Sequence, residues 1–430
     1  MLTLAKKCRP NHNYILSIAH LDYCTDVGGV EKVIGEHSVL INKKGCSYVF
    51  LCPVNHIGGQ YKLYVDQRYI GVFKIHDICS ILKAWDDYVD LLGCHVHHIM
   101  FWKEDDLFYL FSSINTEYLF YLHDYYFICD NYNLLKNNDS FCGGGRPSKN
   151  KCSGCIHYDD ARKRIAFIDK IFEQCQKKKI MFISPSLYVK KLWIDSFPQF
   201  ENRTFVIEHL KFDGEKKIKQ KQGKELRIAF LGSQYDIKGW KEFLTLFNKL
   251  HNESNIKFFH LGIPKIPVNG IFNVPVSFHR NGQNSMVTAV ENEKIDIAFI
   301  CPKWPETYNF TCYEAYMGGA FILTNAHSGN VADMVNRLHC GYVLEENQNV
   351  EDLIVNGIMN SMLENYRNNS CAVVPIMSTP NDEILNYINY NERGEINANS
   401  KICVAESSNG IVINFKLRIK RFLHMGSTQK

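Results

Sequence analysis

The chain has 430 residues, of which 46% are hydrophobic and 22% charged, and its formal net charge is +4. This length exceeds one compact core and suits two α/β domains. No run approaches the roughly 18 apolar residues of a membrane span, and the scattered positive charge argues against a nucleic-acid-binding protein. Sixteen cysteines without a visible export signal predict free thiols in a cytoplasmic protein.

Short apolar runs alternate with helical patterns in the first half of the chain. The apolar runs predict strands at 14–19, 47–52, 94–99, 117–122, 180–184 and 205–207. A glycine turn at 26–29 separates the first strand from a helix predicted over 30–40. Alternating strands and helices imply a parallel sheet with both faces covered. We therefore predict a first domain over residues 1–210.

A second alternation follows a charged stretch, 211–224, which is predicted to be a linker. Its strands are predicted at 226–231, 257–261, 295–300 and 320–324, and its helices at 240–250 and 313–317. We predict a second domain over 225–405 and a C-terminal segment, 406–430, that packs back on the first domain. The fold class is then α/β, with two Rossmann-like, doubly wound domains facing a central cleft. Alternating apolar and basic residues at 415–423 leave a weak membrane anchor open as the alternative to packing.

Two glutamates with seven residues between them, Glu306 and Glu314, span a predicted loop-to-helix junction. The loop 307–311 would present backbone N–H groups at a helix N-terminus, which is a natural phosphate site. Glu306 can accept hydrogen bonds from sugar hydroxyls, and Glu314 can hold the vicinal hydroxyls of a ribose. The loop residues that would contact the phosphates are Asn309, Phe310 and Thr311.

The sequence around this pair resembles the E-x7-E region of family 4 glycosyltransferases. The resemblance runs from the strand and Trp-Pro-Glu of IDIAFICPKWPET, 295–307, to the small-residue turn after Glu314. Upstream, FLGSQYDIKGW at 230–240 is similar to the segment with which this family holds the donor diphosphate. Lys238 would neutralise phosphate charge there. Ser233 stands where the family usually has an arginine.

Two motifs of the first domain extend the resemblance, which spans most of residues 14–345 in the family's order. The segment DVGGVEKV, 26–33, resembles the glycine loop after the first strand, where Gly28 and Gly29 would let the backbone approach the donor. The segment LHDYYFIC, 122–129, resembles the signature in which a histidine, here His123, faces the transferred sugar. On the acceptor side, the candidates are His98 and Asp124.

The resemblance implies a retaining glycosyltransferase of the GT-B architecture. Its donor would be a nucleotide diphospho-sugar and its acceptor a carbohydrate or lipid-linked saccharide, in bacterial surface-polysaccharide assembly. The catalytic residues would be His123, which orients the sugar, and Glu306. Lys238 and backbone N–H groups would stabilise the departing phosphate without an obligatory metal ion. The expected location is the cytoplasm, with peripheral contact at the inner face of the membrane.

Four cysteines follow His123 in an insertion at 129–155, and a subset of the resembling transferases carries a similar insertion. Two of the four form a C-x2-C pair, and four thiolates suffice for a tetrahedral structural zinc site. Because only one close pair exists, structural zinc and free thiols both stay open. The four residues are Cys129, Cys142, Cys152 and Cys155.

Three other functions remain alternatives at this point. The first keeps the fold in an epimerase or a phosphorylase, although a phosphorylase would need a phosphate site beyond Lys238. The second is a nucleotide-sugar-binding protein without turnover, which the replacement at Ser233 favours. The third is a zinc-containing binding protein, against which the dispersed charge and the donor motifs argue.

Overall fold

The computed structural model describes residues 2–54, 58–218, 225–277, 282, 284–368 and 373–388. The predicted C-terminal segment, 406–430, lies outside the described residues. Within these ranges, no helix has the length and apolar character that crossing a membrane requires.

The first half of the chain alternates strands with helices, as predicted. Its strands are β1 (Tyr14–Ile18), β2 (Ser47–Pro53), β3 (Tyr61–Val65), β4 (Arg68–Phe73), β5 (Leu91–Val96), β6 (Tyr118–Tyr121), β7 (Leu135–Lys136), β8 (Ser140–Phe141), β9 (Ile180–Ser184), β10 (Thr204–Val206) and β11 (Leu210–Lys217). Its helices are α1 (Leu2–Cys8), α2 (Gly29–Lys43), α3 (Ile75–Trp85), α4 (Glu104–Ser113), α5 (Tyr158–Gln176) and α6 (Leu187–Ser196).

Most of these strands form one sheet, in the order β10-β9-β6-β5-β1-β2-β3-β4. The strands from β10 to β2 in this order run parallel, and β3 and β4 add an antiparallel edge. Every residue of β1, β2, β6 and β9 is buried, because helices cover both faces of the parallel part. Along β1, Leu16 and Ile18 pack in one core cluster, whereas Ile15 packs in the cluster on the opposite face.

The second half forms another parallel sheet. The strands of this half are β12 (Leu226–Leu231), β13 (Ile256–Leu261), β14 (Ile271–Val274), β15 (Ile297–Phe299), β16 (Phe321–Asn325), β17 (Gly341–Leu344) and β18 (Val373–Pro380). The sheet has the order β14-β13-β12-β15-β16-β17. Numbered within this half, the order is 3-2-1-4-5-6, which is that of a Rossmann fold. The helices are α7 (Trp240–Leu250), α8 (Ser285–Asn292), α9 (Phe310–Met317), α10 (Asn330–Leu338), α11 (Val350–Val355) and α12 (Ile358–Asn368).

The connection between the halves differs from the predicted linker and domain boundary. Residues 211–217 of the predicted linker belong to β11, which pairs antiparallel with β18. After β18, a 3₁₀ helix at Asp382–Tyr387 places Ile384 and Leu385 in a core cluster of the first sheet. The assignment of 225–405 to the second domain is therefore wrong at 382–388, because these apolar side chains complete the first core.

The two chain crossings between the halves lie side by side. The backbone N–H of Asn381 donates to the carbonyl of His209 at 3.0 Å. The side-chain amide of Asn381 donates to the carbonyl of Glu208 at 2.9 Å. One asparagine thus fastens the returning strand to the outgoing one.

Each parallel sheet has a switch point, where successive connections leave a strand in opposite directions. In the first sheet β1 lies between β2 and β5, and in the second β12 lies between β13 and β15. Ligands of such sheets bind outside the carboxyl ends of the strands at this point. The loops that follow β1, β5, β12 and β15 are therefore where a functional site is expected.

Candidate functional site

An ion pair between a partly exposed lysine and a buried glutamate occupies the carboxyl end of the second sheet. The Lys238 Nζ lies 2.6 Å from the Glu306 Oε1, and the side chains are 36% and 3% exposed, respectively. The same Nζ lies 5.1 Å from the centroid of the Trp304 ring. The carboxylate and the ring hold the ammonium group, while part of the lysine stays open to solvent.

The position of Lys238 depends on a glycine that directly follows it. Gly239 has a φ of 91°, a conformation that favours glycine. A Cβ at Gly239 would lie 2.3 Å from the carbonyl oxygen of Cys301. The backbone N–H of Lys303 also donates to the carbonyl of Ile237 at 3.0 Å. The loops after β12 and β15 are therefore packed backbone against backbone.

Glu306 is held by the start of α10. Its backbone N–H donates to the carbonyl of Ser328 at 3.1 Å, and its carbonyl accepts from the N–H of Asn330 at 2.8 Å. Gly329 has a φ of 64°, and a Cβ there would lie 2.7 Å from the Glu306 carbonyl oxygen. The backbone of this glutamate is thus fixed on both sides.

The loop that carries Glu306 is hydrogen-bonded to the first half of the chain. The Tyr125 hydroxyl donates to the carbonyl of Pro305 at 3.0 Å. The Thr307 hydroxyl donates to the carbonyl of His123 at 2.5 Å, and the Ser186 hydroxyl donates to the carbonyl of Thr307 at 3.1 Å. These bonds bring two of the predicted site segments, His123 and the Glu306 loop, together.

His123 is a buried histidine at the carboxyl end of β6. Its Nε2 lies 2.9 Å from the Nδ1 of His97, and its ring centroid is 5.4 Å from that of His209. Burial lowers the pKa of His123 well below its ordinary value, and neighbouring imidazoles, beginning with His209, lower it further. The ring is therefore neutral near pH 7, so it can orient a ligand by hydrogen bonding rather than by charge.

The predicted glycine loop and Glu314 line one large cavity of about 1020 Å³. The glycine loop contributes Gly28 and Gly29 to its wall, and α9 contributes Phe310. A Cβ at Gly29 would lie 3.8 Å from the Phe310 ring, and the Lys32 Nζ is 4.2 Å from the centroid of that ring. The cavity is bounded by both halves of the chain. Within the part of the chain that the structure describes, its wall does not include Lys238, Glu306 or His123.

The predicted phosphate loop is more closed than the sequence suggested. The Asn309 Oδ1 accepts from the N–H of Cys312 at 2.9 Å and from the Thr311 hydroxyl at 2.7 Å, so this side chain is the N-cap of α9. Thr307 and Tyr308 are buried. The first residues of the loop therefore pack between the halves, while the donor contacts of Asn309, Phe310 and Thr311 stay a prediction. What remains is the N-terminus of α9, where Thr311 lies beside Gly232.

The two predicted acceptor residues form a pair with each other. The His98 Nε2 lies 2.9 Å from the Asp124 Oδ2, and the Asp124 Oδ1 accepts from the N–H of Tyr126 at 2.9 Å. Burial raises the pKa of Asp124, but the charge and hydrogen bond of His98 outweigh it and hold the pKa below its ordinary value. Asp124 is therefore a carboxylate that orients His98.

The four insertion cysteines come together although three stretches of chain carry them. All four line a small cavity of about 30 Å³ between the β7–β8 hairpin and the start of α5, and all are free thiols. As the side chains stand, the described residues include no group of three or more metal-ligating side chains arranged to hold an ion. The backbone gathers the thiols, and the side chains are not arranged as a formed tetrahedral site.

Sequence reasoning missed two histidines that adjoin His123. His209 follows β10 and stacks on Phe310, with the ring centroids 5.8 Å apart, and His97 directly follows β5. Each comes just after a strand of the same parallel sheet as β6. That position was the available signal, because the carboxyl ends of parallel strands meet at one edge.

Glu314 supplies a pH-dependent prediction. Burial raises the pKa of Glu314 from 4.5 to about 7, against the opposing charge of Lys32. The folded chain therefore binds the proton more tightly, and this group makes stability fall as pH rises from 4.5 towards about 7. If its carboxylate holds a ribose, nucleotide affinity should instead rise about tenfold between about pH 6 and pH 8.

Calorimetric titration with nucleoside diphosphates across this range would measure the change. Glu314→Gln should abolish the dependence. Glu36→Gln is the matched control, because Glu36 lines the same cavity and burial raises its pKa to about 7 as well. If the pH dependence of nucleotide affinity disappears with Glu36→Gln instead, the titrating group is Glu36 in α2 and not Glu314.

The fold is similar to that of solved glycosyltransferases. Sucrose-phosphate synthase from Thermosynechococcus elongatus superposes with a TM-score of 0.52 at 11% identity, over 83% of this chain and 90% of that chain. A glycosyltransferase from Rickettsia africae superposes with a TM-score of 0.50 at 14% identity, over 82% of this chain and 89% of that chain. No protein-family model and no curated protein matches the chain. The predicted fold class is confirmed: two Rossmann-like domains in the GT-B arrangement.

Proposed function

We propose that the chain is a glycosyltransferase that moves a sugar from a nucleotide diphospho-sugar to a carbohydrate or lipid-linked saccharide. The observation that carries the proposal is the Lys238–Glu306 pair at the second switch point, next to His123. A lysine there can neutralise a diphosphate, and a buried glutamate can accept hydrogen bonds from sugar hydroxyls. The likeness in fold to solved glycosyltransferases agrees with this function.

The donor would extend from the ion pair towards the large cavity. The N-terminus of α9 suits the phosphates, because its first N–H groups lack helical partners. Glu314 and the glycine loop at Gly28 and Gly29 line the cavity of about 1020 Å³, a volume that admits a nucleotide. In this arrangement Glu314 holds the ribose and Lys238 the diphosphate.

The reaction we propose retains the anomeric configuration by front-face attack. The acceptor hydroxyl approaches on the leaving-group side, and the departing phosphate takes its proton. Lys238 exchanges Glu306 for the phosphate as negative charge grows there, and Glu306 is then available to the sugar hydroxyls. Neutral His123 orients the sugar by a hydrogen bond. Charge neutralisation by Lys238 and the helix N-terminus would suffice without a metal ion.

The His98–Asp124 pair is proposed to face the acceptor. Both imidazole nitrogens of His98 are engaged inside the protein, Nε2 by Asp124 and Nδ1 by the backbone N–H of Met100 at 3.0 Å. The group proposed to meet an acceptor hydroxyl is therefore the Asp124 carboxylate, whose side chain is 17% exposed. We place the reaction in surface-polysaccharide assembly, where a lipid-linked acceptor would be met at the cytoplasmic face of the membrane. This setting rests on the sequence resemblance to family 4 transferases.

A thermal-shift and product screen against UDP-, GDP-, ADP- and CDP-sugars tests the function. We expect one donor to raise the melting temperature and to release its nucleotide slowly in the absence of acceptor. That release should disappear in Glu306→Ala. Failure of every donor to stabilise the chain would overturn the proposal.

A second candidate function is donor binding without turnover. It is favoured by Ser233, which is exposed and uncharged where the resembling family has an arginine. The same screen separates the two functions, since stabilisation without nucleotide release under any acceptor would support binding alone. Restored release in Ser233→Arg would then show that the missing cation is the cause.

We further propose that the cysteine insertion holds a structural zinc ion. The four cysteines line a cavity of about 30 Å³, enough to admit a water-sized sphere, so modest side-chain rotation would let four thiolates enclose an ion. The insertion also has little core of its own, with Leu134 and Leu135 as its buried aliphatic residues. A metal would supply the stability that such a segment lacks.

Elemental analysis of protein purified without chelators tests the zinc proposal. We expect about one zinc ion per chain, with Cys152→Ser losing it and unfolding at a lower temperature. Cys24→Ser is the control, because Cys24 is an exposed thiol that does not line this cavity. Wild-type protein that contains no zinc and has four titratable thiols in the insertion would leave these cysteines as free thiols.

A further inference from the structure

Imidazole rings form a row from the interior of the first half to the candidate site. Ring centroids are 5.4 Å apart for His37 and His97, 5.2 Å for His97 and His123, and 5.4 Å for His123 and His209. The middle step is a hydrogen bond, since the His97 Nδ1 lies 2.9 Å from the His123 Nε2. The Nε2 of His123 is therefore occupied inside the protein, and its Nδ1 is the nitrogen left for a ligand.

His97 is held rigidly enough to impose this geometry. Its side chain is fully buried at 0% exposure, and its backbone N–H donates to the carbonyl of Ile18 at 2.9 Å. Its ring stacks on that of Tyr121 at 4.2 Å with an interplanar angle of 8°. A half-turn of the His97 ring would keep this stacking but would place a C–H against the His123 Nε2. The hydrogen bond at 2.9 Å and the stacking together therefore keep Nδ1 directed towards His123.

The protonation of the pair follows from the other nitrogen of His97. Burial lowers the pKa of both imidazoles well below the ordinary value, so both rings are neutral and one proton lies between them. The groups whose charge acts on His97 are themselves histidines: His123, His37, His95 and His209. The His97 Nε2 has no hydrogen-bond partner among the described residues.

A buried N–H without a partner is rarer and costlier than a buried acceptor without one. The single proton of His97 therefore belongs on Nδ1, where it is used, and not on Nε2, where it would be orphaned. His97 then donates to the His123 Nε2, and His123 carries its own proton on Nδ1. This is the reverse of the tautomer that neutral histidine prefers in water.

We propose that His97 is a positioning residue that fixes His123 in the Nδ1–H tautomer, so that His123 offers the transferred sugar a hydrogen-bond donor. A hydroxyl oxygen of the sugar can accept that bond. The role towards the sugar rests on the proposed transferase function, whereas the tautomer is a property of the free protein. The two parts can therefore fail separately.

Long-range ¹H–¹⁵N correlation spectra of histidine-labelled protein test the tautomer. We expect the His123 signals, assigned with His123→Asn, to show a protonated Nδ1 and an unprotonated Nε2 near pH 7. His97→Ala removes the donor, and water that enters the vacated space can accept a hydrogen bond from Nε2, so the fraction of His123 protonated on Nε2 should rise. His97→Asn should preserve the Nδ1–H form, because its amide nitrogen replaces the donating Nδ1. A wild-type His123 protonated on Nε2 would overturn the proposal.

Steady-state kinetics test the consequence for the sugar. His97→Ala should lower kcat about 100-fold, with little change in the KM for the donor, because the wrong tautomer presents an acceptor instead of a donor. His97→Asn should recover most of the rate. His97→Gln should not recover the rate, because its amide nitrogen takes the place of Nε2 and not of Nδ1. The comparison of the Asn and Gln variants also tests the proposal if the alanine variant does not fold.

His95→Asn is the matched control. His95 lies in β5, two residues before His97, and its Nδ1 lies 3.2 Å from the Tyr121 hydroxyl instead of facing His123. It should leave both the tautomer and kcat unchanged. Equal losses of kcat in the His95 and His97 variants would reduce His97 to a packing role. If wild-type protein turns over no donor, the transferase proposal fails, while the spectra still decide the tautomer.

Discussion

Replacing Glu306 with glutamine is expected to lower kcat/KM for the donor about 100- to 1000-fold. The amide keeps the shape of the side chain but removes the charge that holds Lys238 at 2.6 Å. It also weakens the acceptor for the sugar hydroxyls. Stability should change by about 1 kcal/mol or less, because the lysine left behind is partly exposed and can be hydrated. Donor kinetics and urea unfolding measure the two effects.

Replacing the lysine of the pair should cost more stability than replacing the glutamate. Lys238→Met leaves the Glu306 carboxylate, which is 3% exposed, without its counter-charge. Removing one partner of a buried pair is costly, and with the exposure of Lys238 considered we expect a loss of about 2–3 kcal/mol. Lys238→Met should therefore unfold at a lower urea concentration than Glu306→Gln, because the glutamate is the buried partner of the pair.

A second Lys–Glu pair provides the control for both variants. Lys249 lies 2.6 Å from Glu351, and the two side chains are 46% and 31% exposed. Because this pair joins α7 to α11 at the surface, Lys249→Met should cost less than about 1 kcal/mol and leave kcat/KM unchanged. Full activity in Glu306→Gln, with the control intact, would remove Glu306 from the proposed site.

The two sheets could be predicted from the sequence because their strands are buried on both faces. Apolar runs such as 14–19 and 226–231 correspond to β1 and β12, whose residues are almost entirely buried. The end of β5 was less accurate, since the predicted strand 94–99 continues past Val96. The chain leaves the sheet there, and that turn places His97 and His98 at the carboxyl edge. Apolar periodicity carries no signal for such an end.

The ribbon of β11 and β18 could not be predicted, because its pairing is non-local. The residues of β11 are mostly charged or exposed, and their partners lie about 160 residues further along the chain. Strand preference in such a ribbon comes from the partner strand and not from the segment itself. The same reason explains why the return at 382–388 was assigned to the wrong domain.

Individual site residues were easier to predict than their relations to one another. The motifs identified Lys238, Glu306 and His123, but only the fold brings the first two into an ion pair and sets His97 against the third. The motif also gave Asn309 as a donor-binding residue, and the fold adds that its side chain caps α9. Such a second role depends on neighbours that the motif does not describe.

Gly239→Ala is expected to be among the most damaging single substitutions in the second half of the chain. The positive φ of 91° disfavours any side chain, and the new Cβ would lie 2.3 Å from the Cys301 carbonyl oxygen. The two loops must separate to relieve this contact, which moves Lys238 away from Glu306. We expect a loss of about 2–4 kcal/mol and of donor-induced thermal stabilisation.

Gly45→Ala separates the two causes. Gly45 has a similar φ of 76°, but a Cβ there would meet nothing within 4 Å. It should therefore show the conformational cost alone, about 1 kcal/mol, with donor binding unchanged. The excess loss in Gly239→Ala then measures the close approach of the loops after β12 and β15. Equal losses at the two glycines would mean that the Lys238 loop tolerates the shift, and that its backbone packing does not set the position of the lysine.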